Sequence, residues 1–154
     1  MTDWTSNHDR ICEAVKAEIE LLTDPDGDAL FARVEYALTR PTGLKFPLAW
    51  VFPWSDPEEL ANDAQMDTTY EVGVIVVMDG NDPGPLLYAR SAVKARFRVR
   101  GAWTSAPALP APAALIDADV RMGPVLTGTI KGADGKPLGR RSASEMRIIT
   151  TVRE

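Results

Sequence analysis

The sequence predicts an α+β domain: a mostly antiparallel β-sheet with two helices packed on one face. Three observations carry that expectation. Apolar residues recur at helical spacing in two separate segments, near 11–22 and 86–98. Several other runs alternate apolar and polar residues, or are continuously β-branched, as strands do. The coarse order is helix, three strands, helix, two or more strands, which suits helices gathered on one side of an antiparallel sheet. At 154 residues the chain fits one domain spanning 1–154.

The first helix is expected from Ile11, Val15, Ile19 and Leu22, with Ala14 and Glu18 between them and Glu13, Lys16 and Glu20 on the exposed side. Thr5, Ser6 and Asn7 each offer an N-cap oxygen. The helix should stop near Thr23, because Pro25 lacks a donor and Gly27 marks a turn. A strand is expected over 30–38 and a second, bracketed by Pro47 and Pro53, over 48–52. Residues 54–67 are polar and acidic and read as a loop with one helical turn after Pro57. The clearest strand is 69–78, where Tyr70, Val72, Val74, Val76 and Met78 share a face and Ile75 and Val77 make the far end apolar on both.

Residues 79–85 carry two prolines and two glycines and read as a loop. The second helix is placed at 86–98, with Leu86, Ala89, Val93 and Phe97 along one side and Arg90, Lys94 and Arg98 along another. Residues 101–113 are rich in Ala and Pro and suit two or three consecutive turns or a short helix. A strand near 115–122 follows, and 125–130 either extends it or forms another. Asp134-Gly135 is a favoured hairpin pair, and the closing strand lies at 146–152.

Composition narrows function. One cysteine, Cys12, excludes an intrachain disulfide and a cysteine-rich zinc site, and one histidine, His8, excludes a His-rich metal cluster within one chain. The first ten residues lack a basic segment followed by an apolar stretch, so no secretory leader is expected, and no apolar run is long enough for a membrane helix. Net charge is −5 but segregated: residues 1–89 hold 17 Asp/Glu against 5 Lys/Arg, and residues 90–154 hold 5 against 12. Two readings follow: folding interleaves the two parts, or the molecule has an acidic and a basic face able to pack front to back with its copies.

Candidate chemistry was weighed residue by residue. Asp24, Asp26, Asp28 and Glu35 fall at calcium-loop positions, but Ala29 stands where the loop needs Gly, so an acidic turn is the better reading. The carboxylates Asp56, Glu58, Glu59, Asp63, Asp67 and Glu71 read as a solvated or partner-facing acidic loop rather than an acid–base pair. His8 and Cys12 are four apart on one helix but have no orienting third group. Gly132–Lys136 superficially suggests a phosphate loop, but Ile130 and Pro137 break the pattern and a hairpin turn fits. Trp50, Phe52 and Trp54 would project together from an extended chain, as core or as an intersubunit aromatic patch. No catalytic, cofactor-binding or metal-ligating residue is assigned. The expected interface residues are Arg90, Lys94, Arg98, Trp50, Trp54, Asp56, Glu58 and Glu59.

The element order resembles that of the tail terminator proteins of long-tailed bacteriophages, of the lambda minor tail protein U type. The resemblance rests on the opening helix at 11–22 leading into a strand around Val34, the proline-flanked strand at 47–53, and the long strand at 70–78. The helix at 86–98 and the closing strands at 115–122 and 146–152 complete it. It covers nearly the whole chain by order and size, without a fingerprint motif. It implies a non-enzymatic virion protein of the tail or neck, made in the host bacterial cytoplasm. The implied assembly is a homohexameric ring that caps the tail tube, stops its polymerisation and meets a head-completion or connector protein. Direct nucleic-acid contact is not expected beyond DNA passing through the ring. Two other function classes stay open at this point: a nucleic-acid-binding module using the basic helix 86–98, and an enzyme using the acidic loop 54–71.

Overall fold

The computed structural model describes residues 2–36, 45–54, 58–61, 66–80, 82–98, 103, 107–131 and 135–154. Helix α1 (Asn7–Glu20) opens the chain, followed by strands β1 (Arg33–Tyr36), β2 (Leu48–Pro53), β3 (Glu58–Ala61) and β4 (Met66–Asp79). Helix α2 (Pro83–Phe97) and the long strands β5 (Ala114–Lys131) and β6 (Pro137–Arg153) complete it. The strands form one sheet in the order β1-β2-β4-β6-β5, with β3 also on β4. The β1–β2 pair is parallel and every other pair antiparallel, so the fold is the α+β arrangement expected.

Helix α1 starts where its cap chemistry puts it. The Ser6 side chain accepts from the Asp9 N–H while the Asp9 carboxylate reaches back to Ser6, a capping box that satisfies two otherwise orphaned donors. Its apolar stripe of Ile11, Cys12, Val15 and Ile19 is wholly buried. The helix ends at Glu20, before the turn in which Asp24 Oδ1 accepts from the Asp26 and Asp28 amides.

Helix α2 begins three residues earlier than the sequence pattern indicates. Asp82 caps it through Gly84 N, and Pro83 sits at the first helical position. A proline there loses nothing, since first-turn amides have no intrahelical acceptor and its fixed φ suits the helix. The loop expected at 79–85 is therefore partly the first turn of α2. Its buried side is Leu86, Ala89, Val93 and Phe97, as expected, with Trp103 edge-on to Phe97 at 5.0 Å.

Both helices lie on one face of the sheet, and the core forms between. It is built from Ala49 and Val51 of β2, Val72, Val74, Val76 and Met78 of β4, Ala118 and Val120 of β5, and Met146, Ile148 and Val152 of β6. Glu18, wholly buried on α1, meets Arg96 of α2 at 3.4 Å and ties the two helices together.

Two further expectations need correction, and one alternative left open is decided. The segment after Pro57 holds strand β3 rather than a helical turn, because 58–61 can pair in antiparallel register with 66–69 of β4. Of the two readings of 125–130, extension holds: 115–122 and 125–130 form one strand, whose irregularity between Met122 and Val125 is absorbed as a bulge. The closing strand begins at Pro137, nine residues before the expected 146, and pairs with β4 from Arg141 through Arg153. The residues 37 and 38 expected to end the first strand lie outside the described residues. Among those described, no helix is long and apolar enough to cross a membrane.

Candidate functional site

Alternation in β2 sends Ala49 and Val51 into the core and Trp50 and Phe52 to the opposite face. Trp54 continues that row. The rings stack along the strand, Trp50 to Phe52 at 4.8 Å and Phe52 to Trp54 at 5.7 Å between centroids. Each is half-buried and none belongs to the core cluster. Gly73, opposite Phe52 in register, makes the row possible: a Cβ there would sit 2.4 Å from Phe52 Cζ and 2.8 Å from Trp54 Cε3. The missing side chain lets the rings lie down on β4. Guanidinium groups flank the row, Arg147 over Trp54 at 4.7 Å and Arg141 over Phe46 at 4.3 Å. Among the described elements, neither helix packs on this face.

The segregated charge of the sequence resolves on the same face. Asp67, Glu71 and Asp79 of the acidic part lie on β4, and Arg153, Arg147 and Arg141 of the basic part lie beside them on β6. Asp67 faces Arg153 directly and pairs at 3.1 Å, and Asp79 faces Arg141 directly and pairs at 2.9 Å. Glu71 reaches diagonally to Arg147 at 3.9 Å. Glu18–Arg96 joins the two parts again between the helices. Folding interleaves at least these charges, as the blander of the two charge readings requires.

The basic helix divides into three roles. Arg90 is half-buried and donates from Nη2 to the Gly123 carbonyl at 3.0 Å, so it holds α2 against the bulge of β5. Arg96 serves Glu18. Lys94 and Arg98 are exposed and form what is left of the expected basic surface. Of the acidic loop, Asp56 and Asp63 lie outside the described residues. Glu58 and Glu59 are placed on β3, and their side chains lie outside the described set.

The remaining chemical candidates fall into structural roles. His8 Nε2 is 2.8 Å from the Glu71 carbonyl, which requires the proton on that nitrogen, and its ring leans on Tyr70. Cys12 is wholly buried, and burial pushes its thiol up to about 12, so it is no nucleophile at neutral pH. Tyr36 donates to Asp9, which holds that carboxyl below its ordinary range; burial first, and then this bond, raises the phenol. Glu154 accepts from Tyr70 Oη at 2.6 Å, Asn7 Nδ2 at 3.0 Å and Thr68 Oγ1 at 3.1 Å, and is likewise lowered, Tyr70 being the largest cause. The Asp24–Asp28 segment is an acidic turn, as expected, and no group of three metal-ligating side chains occurs among the described residues.

Two features escaped sequence reasoning. Trp4 stands 87% exposed before α1. At the other end of α1, a cavity of about 480 Å³ is lined chiefly by Leu30, Pro47, Met78, Pro85 and Tyr88, with Asp24 at its edge. A tryptophan alone among polar residues at 2–7 was the available signal for the first; the cavity is made by residues from five separate segments and has none. No protein-family model matches the chain, and no curated protein matches it.

Proposed function

We propose that this chain is a structural subunit that acts by packing against neighbours, and that its specific form is the tail-terminator ring its element order resembles. In that role it would cap a phage tail tube as a homohexamer, touching the tube protein on one side and a head-completion or connector protein on the other. The observation that carries the reading is the aromatic row Trp50–Phe52–Trp54 on the sheet face opposite the helices, seated on Gly73 and edged by Arg147. Stacked aromatics beside arginine are the composition of protein–protein contact centres. Lys94 and Arg98 add an exposed cationic patch on α2 that can orient an acidic neighbour.

The test is native mass spectrometry and sedimentation of the purified chain, followed by imaging of tail tubes assembled with and without it. A closed ring, and tubes of defined length bearing that ring at one end, are expected. Charge reversal of Lys94 and Arg98, leaving Arg90 in place as a strut, is expected to weaken assembly without altering the thermal transition. Tubes of unchanged length distribution, with the chain absent from their ends, would remove the tail reading. Tight, salt-sensitive binding to a random oligonucleotide by the same helix would favour the nucleic-acid module instead.

A further inference from the structure

Trp4 and the apolar cavity lie at opposite poles of the molecule. His8 fixes the start of α1 over Glu71, whereas the cavity wall includes Met78, seven residues further along the same strand and about 24 Å away. Helix α1 itself is 14 residues, about 21 Å. From Trp4 to Asn7 the chain reaches at most about 10 Å. Trp4 cannot enter the cavity of its own chain.

The arm that carries Trp4 is held in place. The Asp3 carboxylate accepts from the Thr5 amide at 2.9 Å and pairs with Arg10 of α1 at 3.1 Å, closing a turn around Trp4. An indole presented to solvent on a clasped turn is unlike an apolar residue scattered on a surface. The cavity matches it chemically. Its lining is chiefly apolar, and Asp24 contributes a carboxylate to it. An indole has a flat apolar body and a single donor, which asks for an apolar slot with an acceptor at its mouth. About 480 Å³ takes one bicyclic ring with room for the ring to settle. Leu21, which caps the end of α1, and Leu87, in the first turns of α2 next to Tyr88, are both about half exposed.

We infer that Trp4 of one copy seats in the Leu30–Met78–Tyr88 cavity of the next copy. The contact is heterologous, each copy giving an arm at one pole and a slot at the other, so successive copies join head to tail and close into a ring when the rotation divides a full turn. The closure, though not the contact, rests on the ring reading above. One indole buries about 150–250 Å², well below the roughly 800 Å² per partner of a stable interface. Trp4 is thus the anchor of a wider contact, to which Leu21 and Leu87 add apolar area.

Disulfide trapping tests the contact. Chains carrying Thr5→Cys, which keeps the indole in place, and chains carrying Tyr88→Cys are mixed under mild oxidation and compared with a Thr5→Cys and Ser91→Cys mixture, Ser91 being exposed on the same helix. The native Cys12 is buried and stays silent. The expected result is a covalent heterodimer at least tenfold above the Ser91 reference, and a ladder of oligomers when both substitutions share one chain. Yields equal to the reference overturn the inference. Sedimentation of Trp4→Ala is the second arm, with association weakened by about tenfold to a hundredfold. A Trp4→Ala chain that forms the same closed ring at the same concentration overturns the Trp4 contact and leaves the ring reading standing. A ladder from open chains, with no closed ring in the native protein, keeps the contact and removes the ring. Binding of free indole to the cavity without any trapping between chains makes it a small-molecule slot and overturns the inference.

Discussion

The Glu18–Arg96 pair offers the sharpest quantitative check on how the helices are held together. Glu18 is wholly buried and the Arg96 side chain 24% exposed, with Nη1 and Oε2 3.4 Å apart. At an effective dielectric of about 20, that separation corresponds to roughly 5 kcal/mol of attraction. Partial exposure of the guanidinium and the long contact reduce it. Arg96→Met keeps an apolar stem over α2 but strips this cation from a buried carboxylate, for which removal of one partner costs about 3–5 kcal/mol. A loss of about 3 kcal/mol is expected, or a fall in Tm of about 6–12 °C for a domain of this size. Both residues make further interactions, so the assay is a double-mutant cycle by urea unfolding at neutral pH. The paired variant Glu18→Met/Arg96→Met should recover much of the loss, because replacing both charges by apolar groups of similar size removes the desolvation cost along with the attraction. An Arg96→Met chain within about 0.5 kcal/mol of the native protein, or a coupling energy near zero, would refute the clamp.

Three other perturbations follow from the same geometry. Gly123→Ala would put a Cβ 2.4 Å from the Glu145 backbone oxygen, a clash no rotamer relieves, beside the carbonyl that receives Arg90; a loss of about 2 kcal/mol or more is expected in thermal or urea melts, and a neutral result would mean the bulge is free to widen. Asp9 and Glu154 titrate below their ordinary range in the folded protein, so each contributes stability above its unfolded value near pH 4 that is lost as pH falls through the lower folded value; Glu154→Gln should flatten that acid limb of the stability curve, and an unchanged slope would refute its role. Cys12 should resist alkylation in the native state at pH 8 and react at the rate of global opening, so rapid labelling of folded protein would contradict the burial of α1.

Legibility varied with the kind of signal each element carries. Helix α1 and the core half of β4 were readable because Ile11, Val15 and Ile19, and Val72, Val74 and Val76, repeat apolar character at their structural period. The first half of β6 was not, because its described buried positions are Ser142 and Ser144, set between Arg141, Ala143 and Glu145, so polar residues face the core and periodicity has nothing to detect. Gly123-Pro124 leaves extension and a new strand equally open in the sequence and is a bulge, since β6 supplies a continuous partner on both sides of it. Glu58-Glu59-Leu60-Ala61 has little strand preference of its own and is drawn into β3 by the exposed edge of β4, a tertiary effect that outweighs local propensity. The candidate surface was half legible. The common direction of Trp50, Phe52 and Trp54 follows from strand alternation, but the bond that holds Arg90 to Gly123 depends on a bulge in another strand.

The strand order also changes which forces can drive assembly. An acidic first part and a basic second part look, in the sequence, like material for two oppositely charged faces. Because β6 lies directly against β4, Asp67 and Asp79 meet Arg153 and Arg141 in register, and Glu71 meets Arg147 diagonally, on the open side of the sheet. Charges paired in this way set strand register and are partly neutralised before any neighbour arrives, and what partly exposed pairs of this kind add to stability is small. They also do something less obvious. With its carboxylate partner alongside, Arg147 can sit over the Trp54 ring without leaving an unbalanced cation there. The surface so formed is apolar in rows and near-neutral between them, which favours association through shape and burial over association through long-range attraction. In the proposed packing role, the exposed Lys94 and Arg98 would contribute to steering, and the aromatic groups, the row on β2 and the indole of Trp4, to affinity.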